Sequence, residues 1–345
     1  MKTNKILTIL SIALFLGMMV GCGNDAQEPT LEEGTPQQMG TTGNEAINKV
    51  TKKIAENPKD ASLYAQRANL FYQNDGFDEA IQDLATALTI DSTNVNYHHL
   101  LADVYLDYYK SRLALSTMER AVKLYPERIP TLLKYSEFQL ILKMNEPSLQ
   151  TIDKILRLDP QNADAYFMMG LNFKEMGDTI RAINSFQKAV EFDPDLIDGW
   201  INLGQLHAGI KGHLAEKFFD TAIEIDSTNA YAVQAKADFY ADQGDLETAL
   251  EYYRKIITFD PQNEVAYFNS GLLYLDKNEP QKAYDAFDIT IKVSPLHIRA
   301  YAYRGLAAEK LGKIEQAKKD YNQALTMAPD YQVALDGLAR VQKVQ

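Results

Sequence analysis

Residues 163–196 read ADAYFMMGLNFKEMGDTIRAINSFQKAVEFDPDL, and the fold follows from this stretch. Tyr166, Met169, Gly170 and Phe173 recur three and four residues apart, as do Ala182, Phe186 and Ala189. That spacing is the period of a helix and not of a strand. Gly177-Asp178 separates the two patterns, and Asp193-Pro194 closes the second. The stretch therefore predicts two amphipathic helices joined by a tight turn. Gly170 and Ala182 are small where the helices must approach, and Phe173 and Phe186 can fill the space beside them. So short a pair cannot bury its apolar face alone and needs neighbours of its own kind.

The neighbours are present. With Ala163 as position 1, the same 34-residue frame starts at Ala61, Val95, Ile129, Ile197, Ala230, Glu264 and Ile298, giving eight repeats. Position 8 is always small: Ala68, Ala102, Ser136, Gly170, Gly204, Ala237, Gly271 and Gly305. Position 20 is Ala or Ser throughout, and position 24 is always large, from Leu84 to Tyr321. Position 32 is Pro in six repeats and Ser92 or Ser227 in the other two. Proline there ends the second helix, because it cannot continue the hydrogen-bond ladder. Repeat five runs one residue short, with Ala215, Phe219 and Ala222 each one position early. The expected site of the deletion is the turn at Gly209-Ile210-Lys211-Gly212.

This pattern resembles the tetratricopeptide repeat (TPR) family over nearly everything after Asn44. The resemblance implies an all-α, right-handed α-solenoid, a superhelix of eight helix-turn-helix repeats. Residues 44–57 read as the second half of an incomplete repeat, with Ala46, Val50 and Pro58 at positions 20, 24 and 32. Residues 332–343 read as a capping helix. There Leu335, Leu338 and Ala339 are expected to cover the last repeat, and Arg340, Gln342 and Lys343 to face water. Solenoids need terminal caps with a polar outer face.

Residues 1–21 read as a lipoprotein signal peptide: Lys2 and Lys5, an apolar run from Ile6 to Val20, then Met19-Val20-Gly21-Cys22. The run is too short for a confident membrane span. The tetrapeptide resembles a bacterial lipobox with Met in the place of Leu, which implies a lipid on Cys22, the sole cysteine. Residues 22–43 then form a polar tether rich in Gly, Pro, Thr, Gln and Glu, with little to bury. A flexible chain of that length spans roughly 25 Å. Residues 44–345 form the solenoid. The expected location is the bacterial cell envelope, at the outer membrane.

The chemistry searched for is not there. The sequence has no phosphate-binding Gly-rich loop ending in Lys-Ser or Lys-Thr, no G-x-S-x-G and no H-E-x-x-H. Its five histidines are scattered, and adjacent His98 and His99 point about 100° apart on a helix. A net charge of −12 opposes general nucleic-acid binding. No enzyme activity, cofactor or metal is expected.

What remains is the groove that the resemblance implies, lined by positions 2, 5, 6, 9, 12 and 13 of each first helix. These carry ten acidic residues (Asp103, Asp107, Glu137, Asp164, Glu175, Asp198, Asp238, Asp242, Asp276, Glu309) against Lys134, Lys174, Arg299 and Lys310. Apolar members cluster at Leu133, Phe167, Leu171 and Ile201, and at Phe268 and Leu272, while Asn202 and Asn269 hold position 6. For Phe167 and Phe268, packing and binding both stay open. The carboxylate clamp that some family members use needs Lys at position 5, which no repeat here has. The expectation is a lipid-anchored scaffold that binds a basic or neutral protein segment with apolar anchors. The alternative is an accessory subunit of a cell-wall or outer-membrane assembly enzyme.

Overall fold

The computed structural model describes residues 43–343. The expected signal peptide, Cys22 and the expected tether up to residue 42 lie outside the described residues. All regular structure among the described residues is helical.

Two compact units divide the chain, one up to Phe192 and one from Asp193. The first opens with the lone helix α1 (Glu45–Glu56). Four repeats follow as helix pairs: α2 (Ala61–Tyr72) with α3 (Phe77–Ile90), α4 (Val95–Asp107) with α5 (Ser111–Leu124), α6 (Ile129–Ile141) with α7 (Asn145–Leu158), and α8 (Ala163–Glu175) with α9 (Thr179–Phe192). The second unit holds α10 (Ile197–Gly209) with α11 (Ala215–Ile225), α12 (Ala230–Asp242) with α13 (Leu246–Phe259), α14 (Glu264–Asp276) with α15 (Pro280–Val293), and α16 (Ile298–Lys310) with α17 (Ile314–Met327). The cap α18 (Gln332–Gln342) follows.

Within each unit a second helix packs on its own first helix and on the next repeat's first helix. The first helices touch in succession along the first unit, and in the second α10 touches α12 and α14 touches α16, so each unit presents a wall of first helices. The contact at its heart is position 8 on position 24. Ala68 meets Leu84 and Ala102 meets Met118 in one core, all fully buried. Where position 24 is a ring, position 8 is mostly Gly: a Cβ on Gly170 would sit 2.6 Å from Phe186, and one on Gly271 2.5 Å from Phe287.

Both helix ends are chemically explained. The side chains of Asn94, Asn162, Asn229 and Asn263 accept backbone N–H groups at the starts of α4, α8, α12 and α14, which satisfies orphan donors. At the other end of every first helix, position 15 takes the left-handed conformation that closes a Schellman turn. It is Gly177, Gly244 and Gly312 in three repeats, but Asp75, Tyr109, Lys143, Lys211 and Asn278 in the other five.

That regularity corrects the placement of the deletion in repeat five. Its turn is the ordinary one: Lys211 has φ 55, and the Gly212 N–H donates to His207 O at 2.7 Å, just as Asp178 N–H donates to Phe173 O at 2.8 Å. The loss falls after the turn, where α11 has 11 residues against 14 in α9. Gly209 and Gly212 do not supply the left-handed residue. Gly212 is small because a Cβ there would lie 2.7 Å from His207 Nδ1.

The caps also differ from expectation. On α18 the buried residues are Ala334, Gly337 and Val341, while Leu335 is 39% exposed and Ala339 is exposed. The helix is rotated because the Tyr321 ring lies against it, and a Cβ at 337 would come within 2.2 Å of that ring. Arg340 also does more than face water, since its guanidinium forks onto the Glu309 carboxylate at 2.9 Å. On α1 the buried residues are Ile47, Val50 and Ile54. Ala46 at position 20 is exposed, because no first helix precedes α1 among the described residues.

Candidate functional site

The first-helix wall of each unit is the candidate surface, and burial sorts its residues into two classes. Phe167 is 6% exposed and packs on Phe186 with ring centroids 5.5 Å apart. Phe268 is 3% exposed, 5.5 Å from the Phe287 ring and 5.8 Å from Tyr303. Ile201 is fully buried in a cluster with Phe219 and Ala222. These three side chains are packing. Leu133 and Leu171 are half-buried against Leu132, Leu140 and Ile155, and Leu272 lies half-buried beside Phe268. Asn202 is buried, and its amide donates to Asp198 O at 2.8 Å.

The polar members are tied to one another. In the first unit Lys134 Nζ reaches Asp103 at 2.6 Å, and the Tyr72 hydroxyl donates to Asp107. Glu137 is half-buried beside this pair. Burial pushes its carboxyl up, Lys134 pulls it down, and Asp103 pushes it up again. Burial, with help from Lys134 and Arg128, holds His99 down at about 4, so it is neutral at pH 7. In the second unit Asp238 accepts from the Tyr253 hydroxyl, which also accepts from Asn269 Nδ2 at 3.1 Å. Burial raises the Asp238 carboxyl, Tyr253 and Gln234 lower it, and Asp242 raises it. The acidic excess counted in the sequence shrinks accordingly: Asp103 is paired with Lys134, Glu309 with Arg340, and Asp198 is buried.

What the wall leaves exposed is a narrower set. Its charged and apolar members include Asp107, Asp164, Lys174 and Glu175 in the first unit, and Tyr231, Asp242, Val265, Asp276, Arg299 and Lys310 in the second. Two of the described histidines, His98 and His297, serve structure. His98 Nε2 lies 3.0 Å from Ser92 O, and His297 Nδ1 caps α16 by accepting the Ala300 N–H at 3.0 Å. Among the described residues no group of three or more His, Cys, Asp or Glu side chains is arranged to hold a metal ion. No described helix is long and apolar enough to cross a membrane.

One device escaped the sequence reading. A cation at position 7 bridges position 23 of its own repeat and position 25 of the repeat before. Arg67 forks onto Asp83 at 2.7 Å and donates to Thr51, while Arg304 forks onto Asp320 and donates to Asp288 at 2.6 Å. Lys236 makes the backward half of the bridge to Asp220. The detectable signal was a cation with polar partners sixteen residues to either side.

Four family profiles match the chain. "Tetratricopeptide repeat" profiles cover residues 163–196, 218–251 and 298–331, and a "TPR repeat" profile covers 237–278. The first and third of these ranges coincide with repeats four and eight of the frame. Stress-induced-phosphoprotein 1 of Caenorhabditis elegans is 22% identical over 78% of this chain and 74% of its own length. The human protein O-mannosyl-transferase TMTC3 is 22% identical over 66% of this chain, which spans only 27% of that protein. Among solved structures, the APC/C hetero-tetramer Cut9–Hcn1 superposes with TM-score 0.53 at 16% identity, covering 86% of this chain and 58% of that one. A tetratricopeptide repeat protein from Parabacteroides merdae gives 0.52 at 17% identity, covering 72% and 98%. The chain contains tetratricopeptide repeats and has the all-α fold of a TPR solenoid.

Proposed function

We propose that this chain is a non-catalytic scaffold that binds a protein segment on its first-helix wall and is held at the bacterial cell envelope by a lipid on Cys22. The observation that carries the binding half is the wall itself. Its second-helix side is covered by packing, whereas Tyr231, Asp242, Val265, Asp276, Arg299 and Lys310 project from it without filling the core. What supports a protein partner is that repeats of this kind serve protein interaction. The expected partner segment has apolar side chains to meet Tyr231 and Val265. It has basic groups for Asp242 and Asp276, which make no ion pair among the described residues. Charge complementarity of this sort acts mainly on association rate and partner choice.

Two experiments test the two halves. Radiolabelled palmitate should enter the wild-type chain and not Cys22→Ser; absence of label from the wild type removes the anchor. Asp242→Lys with Asp276→Lys should reduce what the wild type retains from a native envelope extract, and unchanged retention removes the wall as the binding face.

A further inference from the structure

Repeat three alone among the eight has no aromatic ring or imidazole at either position 4 or position 11, where it carries Leu132 and Gln139. Elsewhere those positions hold rings such as Tyr64 and Phe71, Tyr166 and Phe173, or Tyr267 and Tyr274. The rings have a defined seat on the second helix. In repeat four, position 19 (Arg181) lies 4.4 Å from the Phe173 ring, and position 26 (Lys188) lies 5.9 Å from the Tyr166 ring. In repeat six, position 23 (Tyr252) stacks on Tyr240 at 5.7 Å. In repeat three these three positions are Pro147, Lys154 and Thr151, and all three line a cleft of about 350 Å³ with Leu132, Tyr135 and Gln139. The cleft lies where the chain's own rings lie in other repeats. A dry cavity of about 150 Å³ is enough to admit benzene.

The cleft's chemistry goes beyond room. Leu132 and Gln139 form its floor and are almost fully buried. Thr151 Oγ1 donates to Gln139 Oε1 at 2.8 Å, and the Tyr135 hydroxyl lies between Gln139 and Glu119. The lining is mixed, with Val122, Leu132 and Pro147 beside Gln139, Gln150, Thr151 and Lys154, which suits a ring with a hydroxyl better than a plain hydrocarbon. Lys154 has neither an ion pair nor a ring contact among the described residues, although Lys188 at the same position stands over Tyr166. An ammonium placed so is attracted to a ring face.

We propose that this cleft seats a tyrosine side chain presented by a partner polypeptide, completing from outside the ring layer that the other repeats complete from within. The site uses positions 4, 7, 11, 19, 23 and 26, so it is separate from the first-helix wall and does not depend on that reading.

The test uses the full chain with two probes, N-acetyl-tyrosine amide and p-cresol, read by saturation-transfer NMR. Both should bind the wild type saturably. Gln139→Phe, which gives repeat three a ring like Phe71, should melt no lower than the wild type and weaken both probes by at least about tenfold. Should that variant fail to fold, Thr151→Tyr copies position 23 of repeat six and blocks the same cleft. Lys154→Ala should weaken binding without changing the melt. No saturable binding to the wild type, or equal binding to a folded filled variant, overturns the proposal. Binding of p-cresol without the tyrosine amide would mean that the cleft takes free phenols, which overturns a side chain as occupant.

Discussion

Replacing Gly170 by alanine sets two known effects against each other, and the sign of the result decides whether the packing account is right. Alanine in a helix interior is better than glycine by about 0.8–1.0 kcal/mol. Against that, the new Cβ would lie 2.6, 2.7 and 2.8 Å from three atoms of the Phe186 ring. The ring has no easy retreat, being fully buried and packed on Phe167. Overpacking of this kind costs about 1–3 kcal/mol, so the variant should be less stable by up to about 2 kcal/mol. Repeat one supplies the remedy, since it pairs Ala68 with Leu84 in a fully buried contact. In a Phe186→Leu background the same glycine substitution should therefore stabilise, with a coupling of about 0.5–3 kcal/mol between the two sites. Repeat six pairs Ala237 with Tyr253, but the Tyr253 hydroxyl is held by Asp238, a tether that Phe186 lacks. Urea unfolding followed by circular dichroism measures all four chains, and hydrogen exchange in α8 and α9 localises the change. If Gly170→Ala raises stability in the wild-type background by the propensity gain alone, the contact is not tight and the reasoning fails.

The other expectations concern single contacts. Tyr109 sits in the left-handed region at φ 59 with its side chain 79% exposed, so Tyr109→Gly should gain about 1 kcal/mol in urea unfolding. Asp320→Ala leaves the largely buried Arg304 with Asp288 alone and should cost about 3 kcal/mol or more, read by the same titration. Phe167→Ala should lower stability by about 3–5 kcal/mol as a core truncation, and a melt unchanged from wild type would return that ring to the binding surface. Arg340 holds the Glu309 carboxyl below its ordinary value of 4.5, against a smaller upward push from burial. A depressed acid contributes stability above its unfolded pKa and loses it as pH falls through the folded one. Amide protection in α18 should therefore fall as pH drops below 4.5, and Glu309→Gln should remove that dependence.

The helix pairs, their frame and the small-on-large contact were legible because the repeat shows each constraint eight times over. Position 8 is small in every copy and position 24 large, and that regularity fixes which faces meet. Exceptions were read less well. The deletion in repeat five was assigned to a glycine-containing turn, yet the left-handed residue there is Lys211 and the shortening is in α11. Side-chain ties that cross sixteen residues, such as Arg304 to Asp320, recur in only some repeats and stand out less in the sequence than the packing positions. The candidate surface was legible in outline only. A sequence places Phe167, Ile201 and Phe268 on the correct helices. Whether a ring on the wall faces solvent or the next helix depends on how closely first helices approach, and here all three rest in the core.

Photo-crosslinking in the intact cell tests the scaffold reading most directly. A photoreactive residue would replace Asp242 or Asp276 on the first-helix wall of the second unit, and Lys282 on a second helix serves as the comparison. All three side chains are exposed, so each can carry the probe without disturbing the core. The account predicts a discrete protein adduct from Asp242 and Asp276, weakened when Val265 on the same wall is replaced by a charged residue, and none from Lys282. An adduct from Lys282 with nothing from the two aspartate positions would contradict it.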